Sequence, residues 1–464
     1  HHVTHCCMGT SCAIADFDHN GKLTIWTQTQ YPYNYKMDIA PALGIDPGDI
    51  RVIQPPVGGA FGSKLDVYPY EPIAALLARK TGRPVKVIYS REEEFKASPT
   101  RQSAIIHLRT GCTRDGTLTF RSADVLMDNG AYTSWGPTIP VVMMRTVSGH
   151  YRVPVVDYKA QAIYTNNPYA GSFRGYGNVQ GAWATAQQMD MLADLVDIDP
   201  FEFHLKNAQR SGEVTPQRSI LRECVFVECL EAAASASDYS RKRKDYAAQR
   251  DKPGRYKKGI GLASSIHNAG GAKIHKSDGI GTILKVDDYA RVTVITGATE
   301  IGQGIDAVIT LIVAEELGVP LEHVNVVNND TDIAPWDVGS HASRTTFIAG
   351  NGTRRAARKA RERILGFAAR ALDEPIEGLD LRDGAVVRNR DGSALIKLER
   401  LMRQMHFQPE PELVMVTDYY EPNSEPEGAQ YKSNSSSAYA HAVHIAEITV
   451  DTLTGEIKVD KVTV

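Results

Sequence analysis

Two segments of this chain share one order of elements: a short strand, a glycine-rich loop and a helix. The first comprises IRVIQ (50–54), the loop VGGAFGSK (57–64) and EPIAALLARKTG; the second comprises ARVTVITG, the loop GATEIGQG and IDAVITLIVAEELG. Glycine permits positive φ and close approach of the main chain, and a helix N-terminus attracts anions. This pattern predicts an α+β fold in which the C-terminal half is a structural echo of the first half.

Several residues mark the ends of the predicted helices. EPIAALLARKTG is expected to end at Gly82 and IDAVITLIVAEELG at Gly318, because glycine accepts the left-handed conformation of a helix C-terminus. Asp199 precedes Pro200 and is the predicted N-cap of PFEFHLKNA. The polar stretch 406–437 is predicted to be a long loop, and such loops in compact domains are commonly functional.

The length of the chain predicts more than one domain. At 464 residues it exceeds the size that one hydrophobic core normally serves. We expect a first domain over 1–237, a basic linker over 238–258 and a second domain over 259–464. The net charge of −3 and the few aromatic residues among the basic ones argue against a nucleic-acid surface, so the basic stretch 353–363 is predicted to be an exposed helix.

The ends and the cysteines of the chain give further expectations. The chain begins HHVTHCC and ends on a strand pair, so both ends are expected to be truncated or continued in other chains. The sequence has no run of about 18 apolar residues, which predicts that it contains no membrane-spanning helix. Cys6, Cys7 and Cys12 form no C-x-x-C pair and are predicted to be buried free thiols, which favours a reducing, cytoplasmic location.

Three glycine loops also carry polar side chains suited to a flat anionic ligand. Gln30 precedes the first loop and Gln303 lies in GQG, and an amide can donate and accept hydrogen bonds at once. In SFRGYG (172–177), Arg174 lies between Phe173 and Tyr176, so a cation and aromatic rings share one loop. The spacing of neither a Walker A loop nor a G-x-G-x-x-G dinucleotide motif is present in the GGAFG loop.

Five motifs in order resemble the molybdopterin-binding catalytic subunit of the xanthine dehydrogenase and aldehyde oxidoreductase family. They are TQTQYP, VGGAFGSK, GSFRGYG, TEIGQG and SHASRTTFIAGNG, which extend over nearly the whole chain. Within the family, the last motif resembles the 4-hydroxybenzoyl-CoA reductase and nicotinate dehydrogenase branch. The resemblance implies two molybdopterin-binding α/β domains and a molybdenum–molybdopterin cofactor, alone or as its cytosine dinucleotide. It also implies iron–sulfur and FAD centres on partner subunits.

The resemblance assigns catalytic roles to Gln30 and Arg174 and substrate contacts to Tyr176 and Leu65. Gln30 would hydrogen-bond the apical oxo ligand of molybdenum, and Arg174 would lie near the oxo face of the metal. Tyr176 would stack on an aromatic substrate. The residues alone leave two alternatives open: Gln30 as a strand-end cap and Tyr176 as a packing residue.

The resemblance assigns cofactor contacts to the GGAFG loop. Phe61 and Gly62 would lie beside the metal, with Gly58 and Gly59 allowing the main chain to approach the bulky cofactor. No side chain would bind molybdenum directly, since the pterin holds the metal. Phe61 as an ordinary core residue remains the alternative.

Two further motifs complete the implied cofactor site. Gly302 and Gln303 would hold the pterin or its phosphate, with Ala342 and Ser343 on the other side and Ala342 adjacent to the metal. Arg344 would pair with the phosphate of the cofactor. The alternative for Arg344 is a surface ion pair.

Two departures from the family pattern limit the predicted activity. Leu65 stands where purine-oxidising members have a substrate-binding glutamate, so a small aromatic or heteroaromatic substrate is predicted. The Gly-Glu-Pro motif with the catalytic glutamate is absent, and Glu425-Pro426 does not qualify. We therefore expect part of an enzyme that hydroxylates, or reductively dehydroxylates, a ring. One alternative is a noncatalytic cofactor-holding half that needs a second molybdopterin-binding chain with the base; another is a flavin or nicotinamide dehydrogenase.

Overall fold

The chain folds into two compact units that are each assembled from separate pieces of sequence. The computed structural model describes residues 2–271, 273, 276–426, 428–429 and 432–464. Unit 1 comprises residues 1–4, 99–272 and 424–464, and unit 2 comprises residues 5–98 and 273–423. The predicted division into 1–237 and 259–464 therefore does not coincide with the compact units. The two segments of unit 2, 5–98 and 273–423, pack together although about 170 residues of sequence separate them.

The helices follow the predicted boundaries closely at Gly82, Gly318 and Asp199. Gly82 and Gly318 have φ of 60° and 61° directly after α2 and α9, and the Asp199 side chain accepts from the Phe201 N–H at the start of α6. The α-helices are α1 Pro32–Leu43, α2 Tyr70–Thr81, α3 Arg91–Ala97, α4 Ile139–Gly149, α5 Asn178–Leu195, α6 Pro200–Asn207, α7 Phe226–Ser237, α8 Tyr239–Ala247, α9 Ile305–Leu317, α10 Thr345–Leu372 and α11 Leu398–His406.

In the part of the chain that the structure describes, the strands form six small sheets. In chain order they are β1 Val3–Thr4, β2 Cys12–Phe17, β3 Leu23–Thr27, β4 Ile50–Ile53, β5 Val85–Ile88, β6 Thr100–Arg101, β7 Ala104–Cys112, β8 Leu118–Gly130, β9 Val155–Tyr164, β10 Tyr256–Asn268, β11 Ile280–Val286, β12 Val292–Thr296, β13 Val324–Val327, β14 Leu379–Arg382, β15 Ala385–Arg388, β16 Ala394–Lys397, β17 Val414–Tyr420, β18 Tyr439–Asp451 and β19 Ile457–Thr463.

Unit 2 contains two four-stranded sheets of the same topology. Their strand orders are β4-β3-β2-β5 and β13-β12-β11-β17. In each sheet one pair is parallel, β3 with β4 and β12 with β13, and the other pairs are antiparallel. Helix α1 connects the first parallel pair and α9 the second. The structure thus contains the repeat that the sequence predicts.

The loops that correspond to each other in the two repeats differ from the predicted pair. GATEIGQG (297–304) lies between β12 and α9, which corresponds to the segment around Gln30 between β3 and α1. VGGAFGSK follows β4, and its counterpart after β13 is VGSHASR (338–344). The prediction matched VGGAFGSK with GATEIGQG because both loops are rich in glycine. In the structure, the order of strands and helices shows that VGGAFGSK corresponds to VGSHASR.

The second repeat supplies the larger core of unit 2. Its buried residues come from β11, β12, α9 and α10, with additional residues from α11 and β17. Ile305, Ile309 and Val313 of α9 are buried at helical spacing, as an amphipathic helix requires. The basic stretch 353–363 lies in α10 and its charged side chains are largely exposed, while Ala356, Ala357 and Ala360 face the core.

Unit 1 combines the sheets β7-β8-β9 and β10-β18-β19 with helices α4 to α8. The predicted hairpin after β7 turns at Gly116, which has φ of 82° and donates to the Thr113 carbonyl. The basic segment 238–258 forms α8 and the start of β10 inside this unit. Tyr239 is buried there and Lys242 pairs with Glu447 at 2.7 Å, so this segment is packed structure and does not connect the two units.

Two other sequence expectations are wrong. The stretch 406–437 is not one loop, because it contains β17, an edge strand of the second sheet of unit 2. All six cysteines are free, but only Cys7 of the first three is buried, while Cys6 is exposed.

Within the described part of the chain, every helix is too short or too polar to cross a lipid bilayer.

Candidate functional site

Gln30 joins the two repeats of unit 2. Its side chain is 3% exposed, its Nε2 donates to the Ser340 carbonyl at 2.6 Å, and its Oε1 accepts from the Gly62 N–H at 2.9 Å. The main chain of Gln30 donates to the Lys64 carbonyl at 2.8 Å and accepts from the Ser340 N–H at 2.7 Å. One amide side chain therefore ties the GGAFG loop of the first repeat to the SHASR loop of the second.

The GQG loop reaches the same point through Thr299 and Ser340. Gln303 Nε2 donates to the Thr299 carbonyl at 2.8 Å and lies 3.5 Å from Ser340 Oγ. Ser340 Oγ donates to the Thr299 carbonyl at 2.7 Å, and Thr299 Oγ1 donates to the Gln30 carbonyl at 3.2 Å. Three of the loops singled out in the sequence thus meet in one hydrogen-bonded junction.

The GGAFG loop is a tight turn in which four residues have positive φ. The values are 67° at Gly58, 94° at Gly59, 54° at Phe61 and 102° at Gly62. A Cβ on Gly58 would lie 2.8 Å from the main-chain nitrogen of Gly9, and one on Gly59 would lie 2.9 Å from the Phe61 ring. At Gly58 the main chain of Gly9 already excludes a side chain, whereas at Gly59 the Phe61 ring would have to move and the positive φ would add strain.

Phe61 lies at the tip of the loop. Its side chain is 41% exposed and its φ is 54°, in a region that a bulky residue rarely occupies. The alternative that Phe61 is an ordinary core residue is therefore wrong. Strained backbone at an exposed loop tip is typical of functional sites.

Lys64 is a functional candidate that the sequence did not identify. It is fully buried, and its Nζ donates to the carbonyls of Gly9, Val57 and Gly59 at 3.2, 3.0 and 3.0 Å. Burial lowers the pKa of this ammonium group. The three donors of one lysine hold the GGAFG loop against residue 9, and the only signal in the sequence was a lysine directly after a glycine loop.

Glu300 occupies the N-terminal end of α9. Its carboxylate accepts from the N–H groups of Gly302 at 2.6 Å, Gly304 at 3.2 Å and Asp306 at 3.3 Å. A carboxylate is stabilised there by the helix dipole and by the free amides of the first turn. A phosphate at the Gly302 N–H would compete with Glu300, whereas the Gln303 side chain belongs to the junction with Ser340.

Ala342, Ser343 and Arg344 form the end of the SHASR loop before α10. Ala342 and Ser343 have φ of 47° and 52°. Arg344 is fully buried and pairs with Asp278 and Asp337, each at 2.8 Å. Both expectations for its side chain are therefore wrong. The guanidinium is enclosed by protein groups and does not extend towards a ligand, and its ion pairs are buried ones.

Arg174 and Tyr176 lie in unit 1, in the loop before α5. Arg174 is exposed, and its carbonyl accepts from the Arg101 guanidinium. The Tyr176 hydroxyl is bonded to Thr138 Oγ1, and its ring meets Trp135 edge-on with centroids 6.4 Å apart. These contacts fit the packing alternative for Tyr176. Leu65, the predicted substrate residue, is buried in unit 2.

The groups at the junction suit an organic ligand that brings its own metal ligands. The residues that the structure describes contain no group of three His, Cys, Asp or Glu side chains placed to bind a metal. The junction instead offers amides, hydroxyls and main chain, and it is bordered by the exposed residues Phe61, Gly302, Gln303 and Ser343. This donor set fits a metal held by a pterin.

Comparisons with known proteins identify the family of the chain. The family model described as "Molybdopterin cofactor-binding domain" matches residues 1–208, and a second model of the same description matches 232–464. The xanthine dehydrogenase molybdenum-binding subunit of Escherichia coli O157:H7 is 35% identical over 416 residues, 88% of this chain and 54% of that protein.

Two further proteins show the range of the similarity. The nicotinate dehydrogenase large molybdopterin subunit of Eubacterium barkeri is 35% identical over 234 residues, 50% of this chain and 55% of that protein. Quinoline 2-oxidoreductase from Pseudomonas putida 86 has the same fold, with a TM-score of 0.88 at 24% identity over 99% of this chain and 59% of that chain. The chain spans about half the length of the curated relatives it matches.

Proposed function

Because this chain belongs to the molybdopterin-binding family of xanthine dehydrogenase-type oxidoreductases, we propose that it is the cofactor-holding part of a molybdenum hydroxylase. The observation that carries the proposal is the junction of unit 2, where Gln30 bonds to Gly62 and Ser340 and Gln303 lies beside Ser340. Three loops that are far apart in the sequence present main-chain and amide groups at one place. Such a surface suits one bulky ligand with several polar groups.

In this proposal the residues of the chain bind and orient the cofactor. Gln30 keeps one amide hydrogen beyond the bond to Ser340 and is positioned by both repeats, so it would orient a polar ligand of the metal. Gly59, Phe61 and Gly62 would contact the metal end through the main chain, as would Ala342 and Ser343 from the opposite loop. When bound, the cofactor would supply the two-electron redox centre for oxygen transfer.

The substrate we propose is a small aromatic or heteroaromatic ring. Leu65 offers no hydrogen-bond acceptor at the position where a purine would need one, and it is 5% exposed. The names of two similar proteins mention nicotinate and quinoline, which are heteroaromatic rings other than purines, while xanthine, in the name of a third, is a purine. Arg174 and Tyr176 of unit 1 remain proposed catalytic and substrate residues, respectively.

The proposal includes partners. Electrons would leave to a 2Fe–2S subunit and an FAD subunit, and the base would come from sequence outside this chain, which lacks the Gly-Glu-Pro motif. Such a complex, with its reduced cofactors, fits a cytoplasmic location. The cytosine dinucleotide form of the cofactor is part of the same proposal.

Metal and pterin analysis of the purified natural complex tests the proposal, with Gln30→Leu as the variant and Gln404→Leu, exposed on α11, as the control. We expect about one molybdenum and one pterin per chain in the wild type and the control, and much less of both in Gln30→Leu. A bound flavin or nicotinamide on this chain without molybdenum would contradict the proposal. A loaded complex that carries the Gly-Glu-Pro region but oxidises no heteroaromatic ring would favour the noncatalytic alternative.

A further inference from the structure

We infer that Arg344 is a positioning residue that holds Ala342 and Ser343 in a strained turn at the cofactor site. The inference rests on the proposed function, because this turn is one of the loops proposed to contact the cofactor. It differs from a phosphate contact by Arg344 itself, since the guanidinium would act through the main chain of its two neighbours.

The turn has a conformation that its sequence does not favour. Ala342 and Ser343 have φ of 47° and 52°, and the Arg344 N–H donates to the His341 carbonyl at 3.0 Å. Positive φ at both central residues with this hydrogen bond is the pattern of a type I′ turn, which normally requires Gly, Asn or Asp. Alanine and serine are strained there, so another part of the structure must hold the turn.

The Arg344 side chain is the anchor on one side of the turn. Nε donates to Asp278 Oδ1 at 2.8 Å, Nη1 to Asp337 Oδ2 at 2.8 Å and to the Gly339 carbonyl at 2.9 Å. Nη2 donates to the carbonyls of Asp278 at 2.6 Å and Gly279 at 3.0 Å. These five bonds use all five donors of the guanidinium, in the rigid fork geometry that only arginine offers.

The other side of the turn is also fixed. Asp337 Oδ1 accepts from the Gly339 N–H at 2.6 Å, and the Ser340 N–H donates to the Gln30 carbonyl at 2.7 Å. Only residues 341–343 remain between these anchors and Arg344. Ala342 is half-buried and Ser343 is exposed, while Arg344 is fully buried. The two strained residues are therefore nearer the surface than the guanidinium that holds them.

The test uses the natural complex with Arg344→Lys, which keeps the positive charge but loses the fork. The readouts are molybdenum and pterin per chain, the rate of cofactor loss in chelator-free buffer, and thermal unfolding of cofactor-free protein. We expect folded protein that loses the cofactor at least about tenfold faster, since the side chain of lysine cannot make five hydrogen bonds. Arg370→Lys, which alters an exposed arginine of α10, the helix that follows Arg344, is the matched control.

A rescue variant separates positioning from direct contact. Ala342→Gly/Ser343→Gly in the Arg344→Lys background lets the turn adopt positive φ without strain, so cofactor retention should return to within about threefold of wild type. Failure of the glycines to rescue, with cofactor still lost, would overturn the inference in favour of direct contact. Unchanged cofactor retention in Arg344→Lys would overturn it as well.

Two outcomes are handled by further measurements. If Arg344→Lys does not fold, Asp337→Asn weakens the same anchor while keeping its shape, and the same glycine rescue decides in the same way. If wild-type protein contains neither molybdenum nor pterin, the proposed function fails. In that case a turn that stays ordered in Arg344→Lys would also overturn the positioning role, as followed by hydrogen exchange of residues 341–343.

Discussion

At the scale of single residues, buried charged groups hold the loops of the candidate site. Lys64 and Arg344 are both fully buried, and each donates to main-chain carbonyls of a loop with positive φ. Glu71 is a third buried titratable group, and its carboxyl accepts from Thr27 Oγ1 and the Tyr68 N–H. A group of this kind is costly to bury without partners, so its removal reports on the loop or core that it supports.

Lys64→Met is expected to lower the free energy of unfolding by about 2–3 kcal/mol, because three buried carbonyls lose a charged donor. The variant should also bind less molybdenum, since the GGAFG loop loses its attachment to residue 9. Denaturant unfolding and metal analysis measure the two effects, with Lys80→Met at the exposed end of α2 as the control. Equal stability of the two variants would show that Lys64 does not hold the loop.

Glu71 predicts a pH-dependent stability. Burial raises the pKa of its carboxyl to about 7, against about 4.5 for an exposed glutamate. The folded state therefore retains a proton that the unfolded state has lost, so the contribution of Glu71 is complete below about pH 4.5 and falls as the pH rises to 7. Relative to Glu71→Gln, the wild type should lose about 3 kcal/mol over this range in unfolding titrations. A constant difference between the two proteins would contradict the assignment.

At the scale of elements, local sequence signals gave the ends of helices and the repeat, and long-range contacts determined the rest. Gly82, Gly318 and Asp199 could be predicted because a helix end depends on a few neighbouring residues. β17 was missed, although its alternating burial is readable, because polar residues surround it on both sides. The loop partners could not be predicted, since the counterpart of GGAFG has only one glycine, Gly339.

Alanine substitution should be more destabilising at Gly58, in the loop VGGAFGSK, than at Gly21, another glycine of positive φ. A Cβ at Gly58 would lie 2.8 Å from Gly9, whereas a Cβ at Gly21 would have no neighbour within 4 Å. Gly21→Ala should therefore destabilise the protein by about 1 kcal/mol, from strain alone, and Gly58→Ala by about 2 kcal/mol more. Thermal unfolding of both variants tests this, and equal effects would contradict the close packing of Gly58 on Gly9.

We expect the Glu300 carboxylate to stabilise the N-terminus of α9 by a measurable amount. Glu300→Ala removes a carboxylate that three N–H groups share, so the free energy of unfolding should fall by about 1 kcal/mol. Glu322→Ala, at an exposed position near β13, is the control and should change it by less than about 0.5 kcal/mol. If the two variants are equally stable, Glu300 does not cap this helix.

At the scale of the whole molecule, the division into compact units departs most from the sequence analysis. The chain passes between the units four times, after residues 4, 98, 272 and 423. Hydrophobic periodicity and composition act over tens of residues, so they could not show that 5–98 packs with 273–423. The family could nevertheless be identified, because five short motifs in a fixed order are retained whatever the path of the chain between them.

The central claim is that the loops joined by Gln30 hold one molybdenum–pterin cofactor. The most direct measurement is the anomalous X-ray scattering of the natural complex at the molybdenum absorption edge, combined with fluorescence analysis of its released pterin. The account predicts one molybdenum peak beside Gln30, Phe61 and Ala342 and one pterin per chain. A molybdenum peak remote from these three residues, or a fully assembled complex with neither metal nor pterin, would contradict it.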